Sequence, residues 1–124
     1  MTYYTKDHEW IRVEGTNGVV GISEHAACEL GDITFIELPK VGKQIAKGAV
    51  LASVESVKAA SEVFAPVTLS VTKVNDALAS APETVNKSAE GDGWFVEVMI
   101  GNVAELSSLM DKAKYDEYVK GLKH

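Results

Sequence analysis

One lysine is set apart from the other bases of this chain by what surrounds it. In the run Val54-Glu55-Ser56-Val57-Lys58-Ala59-Ala60-Ser61-Glu62-Val63, Lys58 lies between two β-type stretches, with acids three residues before it and four after. An amine is acylated only as the neutral base, and a pKa near ~10.4 leaves roughly one in a few thousand neutral at pH 7. A modifying enzyme must therefore envelop the amine and deprotonate it, which requires an exposed lysine on a stiff, protruding turn. Ser56, Ala59, Ala60 and Ser61 leave room for such an enzyme, while Val54, Val57, Val63 and Val67 stiffen the arms. Glu55 and Glu62 offer charged handles to a basic protein face. A lone surface lysine is ordinarily just a solvated cation. This string instead suggests a hairpin, over residues 50–67, built to hold Lys58 out for covalent modification.

The elements that must position the lysine read as short strands. Trp10-Ile11-Arg12-Val13 alternates apolar and polar residues as a half-buried strand does, and Val19-Val20-Gly21-Ile22 follows after turn residues 15–18. Ser23 is placed to cap a short helix over residues 24–30, and Gly31 to stop it. A β run over 33–38 ends at Pro39, and a short extended piece lies between Lys43 and Lys47. Residues 50–55 and 62–67 form the arms around Lys58, and 69–74 alternates cleanly. Asn75 is expected to cap a single turn over 76–78, and Pro82 to open another. Gly91-Asp92-Gly93 turns into the strong β run 94–100. The period then changes: Val103, Leu106, Leu109, Met110, Tyr115, Tyr118, Val119 and Leu122 are spaced as on a helix face, with Asp111 a cap, giving a helical tail over 102–122. The predicted fold is mainly β, a small sandwich or flattened barrel with short helices and that tail.

Composition excludes several classes. The 124 residues argue for a single domain over 1–124, with 46% hydrophobic and 24% charged residues. The net charge of −6 and scattered bases argue against nucleic acid as a partner, because phosphate binding relies on a basic patch. No stretch approaches the ~18 apolar residues a membrane helix needs. Cys28, the only cysteine, forms no internal disulfide, which fits a reducing compartment; it reads as a small, partly buried residue. The N-terminus lacks the features of a signal or transit peptide. His8, His25 and His124 do not form a metal-ligand pattern, and no metal is expected. A convergent set of base, nucleophile and oxyanion donors is not discernible, so the chain is not expected to be an enzyme.

The string Glu55-Ser56-Val57-Lys58-Ala59-Ala60-Ser61-Glu62 closely resembles the lipoylation site of the glycine cleavage H-protein family. So do His8-Glu9-Trp10, Val20-Gly21-Ile22-Ser23-Glu24-His25-Ala26, Leu30-Gly31-Asp32-Ile33 and Glu37-Leu38-Pro39, with Ala65-Pro66-Val67, Pro82-Glu83 and Gly93-Trp94 further on. The resemblance runs through nearly the whole chain in order and spacing. It implies a lipoyl/biotinyl-type flattened barrel-sandwich hybrid and a non-catalytic carrier with lipoate amide-linked to Lys58. It also implies three enzyme partners. A pyridoxal-phosphate glycine decarboxylase loads an aminomethyl group, a tetrahydrofolate-dependent aminomethyltransferase unloads it, and an FAD dihydrolipoamide dehydrogenase reoxidises the dithiol. A lipoate ligase or a lipoyl/octanoyl transferase would install the group. Glu9 and Glu62 match the positions of a cradle for the loaded arm, where two carboxylates suit a cationic amine. The implied state is a soluble monomer, in the cytoplasm if bacterial or the mitochondrial matrix if eukaryotic.

One departure bears on lipoylation. Eleven residues after Lys58 the family pattern has glycine, whereas this chain has Leu69. If that position needs a left-handed backbone, Leu69 strains it. Leu69 and Glu55 are thus the two positions expected to govern recognition by the lipoylating enzyme. The departure leaves room for an alternative, a paralogue that relays lipoyl groups or is not lipoylated. Two other carriers fit less well: lipoyl domains of 2-oxo acid dehydrogenases carry Asp-Lys-Ala, and biotin carriers flank the lysine with methionines.

Overall fold

The computed structural model describes residues 1–121; Leu122 and His124, assigned above to the helix face and the histidine set, lie outside the described residues. The core begins with a hairpin, β2 (Glu9–Glu14) and β3 (Asn17–Ile22), closed by the two-residue turn Gly15-Thr16. Its first turn residue is a glycine at φ 64, the geometry a tight hairpin of this kind asks for. β1 (Thr2–Tyr4) adds to β2, and β9 (Val96–Ile100), β8 (Leu69–Val74) and β5 (Gln44–Ile45) continue from β3 in the order β1-β2-β3-β9-β8-β5. A second sheet holds β4 (Ile33–Glu37), β6 (Val50–Ser56) and β7 (Ala60–Phe64) in the order β4-β6-β7. All pairings are antiparallel. Both sheets contribute to one apolar cluster, including Ile11, Val20, Val54, Val63, Val71 and Phe95. The expected mainly-β fold is present, but as two antiparallel sheets that do not close into a barrel.

Trp10 and Ile11 are both fully buried, against the expected alternation. Ile11 faces the shared core, while Trp10 enters a smaller cluster with Tyr4 and Tyr115 on the opposite face of the sheet. That face is covered by the C-terminal helix α4 (Lys112–Lys120), so this end of β2 has no solvent side. Gly21 pairs with Trp10, and a Cβ there would come within 2.9 Å of the indole, so only glycine lets the ring lie across β3. The indole N–H donates to the Ala89 carbonyl at 3.1 Å.

The helix starts follow their caps. Ser23 accepts the Ala26 N–H and opens α1 (Glu24–Leu30), and Gly31 at φ 75 ends it. The tail is not one helix. A 3-10 helix (Val103–Ser108) is followed by extended backbone, where Met110 and Tyr4 exchange N–H···O bonds of 2.7 and 2.9 Å. Pairing with β1 fixes that segment as strand-like, so α4 must restart, capped by Asp111 accepting the Lys114 N–H at 2.8 Å. Asn75 does not cap the next turn with its side chain. Its buried amide donates to the carbonyls of Asp92 and Trp94 at 3.0 and 2.8 Å, and α2 (Ala77–Ser80) starts without a side-chain cap. Val85 of α3 (Thr84–Ser88) is fully buried. The second arm of the lysine hairpin starts earlier than expected, because Ala60 still pairs with Glu55, and it ends at Phe64, before Pro66, which has no N–H to give to a ladder.

Candidate functional site

Lys58 is at the tip of the β6–β7 hairpin, with Val57 beside it 70% exposed. The turn is closed locally: the Ser56 N–H donates to the Ala59 carbonyl at 2.8 Å, and the Ser56 hydroxyl accepts the Ala59 N–H at 3.1 Å. It is also tied to the body, since the Val57 N–H donates to the Asp32 carbonyl at 3.0 Å. The aliphatic stem of Lys58 lies over Gly31, where a Cβ would stand 3.3 Å from Lys58 Cε. Asn86 of α3 holds that segment from beneath, donating to the Gly31 carbonyl at 2.7 Å and accepting the Ile33 N–H at 2.9 Å. The lysine is therefore exposed yet seated on a fixed bed. Nothing along the sequence marks Gly31 and Asn86 as site residues, because the pairing of residues 31 and 58 arises only on folding.

Glu55 is exposed on β6 opposite Phe35, close in sequence to the tip as expected. Leu69 is elsewhere. It is 1% exposed in β8, paired with Ile45 and Ile100 in the larger sheet, and its φ is not left-handed. The backbone strain expected of Leu69 is therefore absent, because the position is ordinary strand and the side chain fills core.

Glu9 and Glu62 line one cleft of about 170 Å³ between the sheets and α1. Ile22, Leu30, Val54 and Val63 give it an apolar wall, while Asp7, His8 and Glu29 complete the polar side. Glu62 is exposed, but Glu9 is only 2% exposed. The Glu9 carboxylate accepts the Thr5 hydroxyl at 2.6 Å and the Phe64 N–H at 3.4 Å. Burial nonetheless pushes its pKa up to about 7, outweighing those hydrogen bonds, and Asp7 adds to the rise. His8 is held below its ordinary value, first by burial and then by His25, whose ring centroid is 4.6 Å away. Cys28 is exposed rather than partly buried, since it falls on the outer side of α1; only Ala27 of that helix is buried. His25 directs its ring to His8, with Nε2 3.6 Å from Glu29. Among the described residues, no group of three or more His, Cys, Asp or Glu could hold a metal ion, and no helix is long and apolar enough to cross a membrane.

A two-sheet scaffold that seats one accessible lysine on a hairpin tip, beside a cleft with an apolar wall and acidic side, has the form of a carrier domain. The family model of the glycine cleavage H-protein matches residues 2–122. The glycine cleavage system H protein of Beijerinckia indica is 54% identical over 122 residues, covering 98% of each chain. That of Phenylobacterium zucineum is 53% identical over 116 residues, covering 94% of this chain and 96% of its own. A crystal structure of a glycine cleavage system H protein from Mycobacterium marinum superposes with a TM-score of 0.88 at 32% identity, covering 98% of this chain and 97% of that one. The chain belongs to the glycine cleavage H-protein family, whose members are lipoyl carriers and not catalysts, and which works with the enzymes of the glycine cleavage system.

Proposed function

We propose that Lys58 is the lipoyl attachment residue of a single-domain, monomeric shuttle. It would carry the aminomethyl unit from glycine decarboxylase (pyridoxal phosphate) to the tetrahydrofolate-dependent aminomethyltransferase, with reoxidation by the FAD enzyme dihydrolipoamide dehydrogenase. The observation that carries this reading is the seat of Lys58: an exposed residue on a stiff turn, with its stem over Gly31 and the small side chains of Ser56, Ala59 and Ala60 near it in the turn. Gly31 leaves room for the lysine stem, which a Cβ there would crowd, and the exposed position of Lys58 is compatible with a long group attached at Nζ. Either a lipoate ligase or a lipoyl/octanoyl transferase would install it, approaching past Glu55. When bound, the lipoyl group supplies a dithiolane that opens to take up the one-carbon unit on sulfur and closes again on oxidation. The chain's own part is to present, shelter and release. Glu9 and Glu62 would hold the cationic amine at the mouth of the cleft while its apolar wall limits water. The bacterial relatives support a cytoplasmic site of action.

The test is the intact mass of the chain after co-expression with a lipoate ligase and lipoate, comparing wild type with Lys58→Arg. A gain of one lipoyl group that the variant lacks is the expected result. No gain in a well-folded wild type would point instead to an unlipoylated paralogue. The cradle is tested separately: Glu9→Gln with Glu62→Gln should shorten cargo retention, and an unchanged retention time would remove that role.

A further inference from the structure

His8 is the only non-glycine residue with a left-handed backbone among the described residues, at φ 69. For a histidine that conformation is uncommon, and it persists only where surrounding bonds over-determine it. Those bonds are present. The His8 N–H donates to the Thr5 carbonyl at 3.1 Å, and the His8 carbonyl accepts the Ser23 N–H at 2.8 Å. His8 Nδ1 is 2.7 Å from the Tyr115 hydroxyl, which is itself 2.7 Å from the Ser23 hydroxyl at the start of α1. The turn wraps around Thr5, whose hydroxyl oxygen accepts the N–H groups of Asp7 and Glu9 at 3.2 Å each and donates to the Glu9 carboxylate. The next residue after His8 is thus turned inward, toward the edge of β7, instead of out to water. Tyr115 belongs to α4, and its ring stacks on Tyr4 with centroids 4.4 Å apart. The C-terminal helix therefore reaches His8, in the wall of the cleft, through the Tyr115 hydroxyl, with the rings of Tyr115 and Tyr118 packed beside the imidazole.

We propose that His8 and Tyr115 are positioning residues: their clamp holds the left-handed turn that aims the Glu9 carboxyl into the cleft, so that α4 sets how long the amine cargo is kept. The link to cargo rests on the cradle reading of Glu9, but the positioning of Glu9 does not. The titratable groups around Glu9 are Asp7 and His8 on its own segment, Glu29 on α1 and Glu62 on β7, with His25 behind His8; Tyr4, Lys6 and Lys47 share a second cavity that Glu9 also lines. Loosening the clamp admits water to a carboxyl that burial holds at a raised pKa, so that value returns toward the ordinary one.

The experiment uses the full chain as Tyr115→Phe, His8→Ala and His8→Asn. Tyr115→Phe removes the hydroxyl and keeps the ring on Tyr4. Asparagine tolerates the left-handed backbone and retains a polar side chain. Carbon-13 NMR titration of the Glu9 carboxyl in the unmodified chain is the first readout. The wild type should titrate at about 7, and Tyr115→Phe and His8→Ala should fall toward 4.5, with His8→Asn in between. The second readout is cargo retention by the lipoylated chain, loaded with glycine and glycine decarboxylase, which the first two variants should shorten several-fold. An unchanged Glu9 midpoint in folded Tyr115→Phe and His8→Ala overturns the proposal. So does a lowered melting temperature with an unchanged midpoint, which would make the clamp a prop for α4 and nothing more. Glu9→Gln separates the two readings. If it leaves retention unchanged, the cradle role of Glu9 fails, and the titration still decides whether the clamp positions it.

Discussion

Lys58 is presented by bonds that close within a few residues, Ser56 to Ala59, plus one anchor from Val57 to Asp32. Glu9 reaches its position through partners far along the chain: Phe64 lies 55 residues away, and His8 beside it is held by Tyr115, 107 residues away. The first region is open to solvent, and its residues should tolerate change because little packs on them. The second is buried, titrates far from its ordinary range and depends on elements that meet only in the folded chain. A carrier needs both: a lysine that large enzymes can grip, and a recess whose geometry does not drift when they let go.

The contrast can be broken or sharpened by substitution. The largest effect is expected at a position that belongs to neither region. Leu69→Gly restores the glycine of the family pattern but empties a fully buried strand site, and should destabilise the chain by about 3–5 kcal/mol in chemical denaturation. If it stabilised the chain instead, the strand assignment at Leu69 would be wrong. Glu9→Gln comes next. Folding holds the Glu9 pKa above its unfolded value, so the ionised form is the destabilised one. Wild-type stability from this group is fully present below about 4.5 and is lost as pH rises to about 7. The loss is on the order of 3 kcal/mol. Melting temperature against pH should therefore flatten across that window in the variant. His8, whose pKa is lowered, acts in the other sense, and its loss of stability as pH falls below about 6.5 should remain in Glu9→Gln.

Gly31→Ala follows. It places a side chain at φ 75, ψ −152, a region open almost only to glycine, and crowds the Lys58 stem. A destabilisation of about 1–3 kcal/mol and slower lipoylation at unchanged Lys58 exposure are expected, measured by melting and by mass. The smallest effect is at the tip. Val57→Ser should leave stability within about 0.5 kcal/mol, since the side chain is 70% exposed. A large loss there would show that the tip is not locally determined.

Much of the tip was legible from residue types. Small residues around one lysine, valines in the arms, Ser23 and Gly31 bounding a helix and Asp111 opening another all act over a few positions, where sequence distance and spatial distance agree. The less legible parts are those where the chain doubles back. Asn75 looked like a cap because asparagine suits that role, yet two carbonyls of a later loop claim its amide. The tail read as continuous helix from its spacing, yet pairing with Tyr4 interrupts it at Met110. His8 and His25 form no metal-ligand pattern, and no pattern along the chain ties either to Tyr115.

By itself, the sequence determined that this is a mainly β chain, that Lys58 stands between two β-type arms among small residues, and which acids lie beside it along the chain, because strand alternation, turn residues and caps are short-range physics. The tertiary structure alone decided that the sheets stay two, that Leu69 is core, that Gly31 and Asn86 form the bed of Lys58, and that Glu9 is buried beside a left-handed His8. Burial and pKa depend on what the rest of the chain excludes from a place, and no local stretch carries that information.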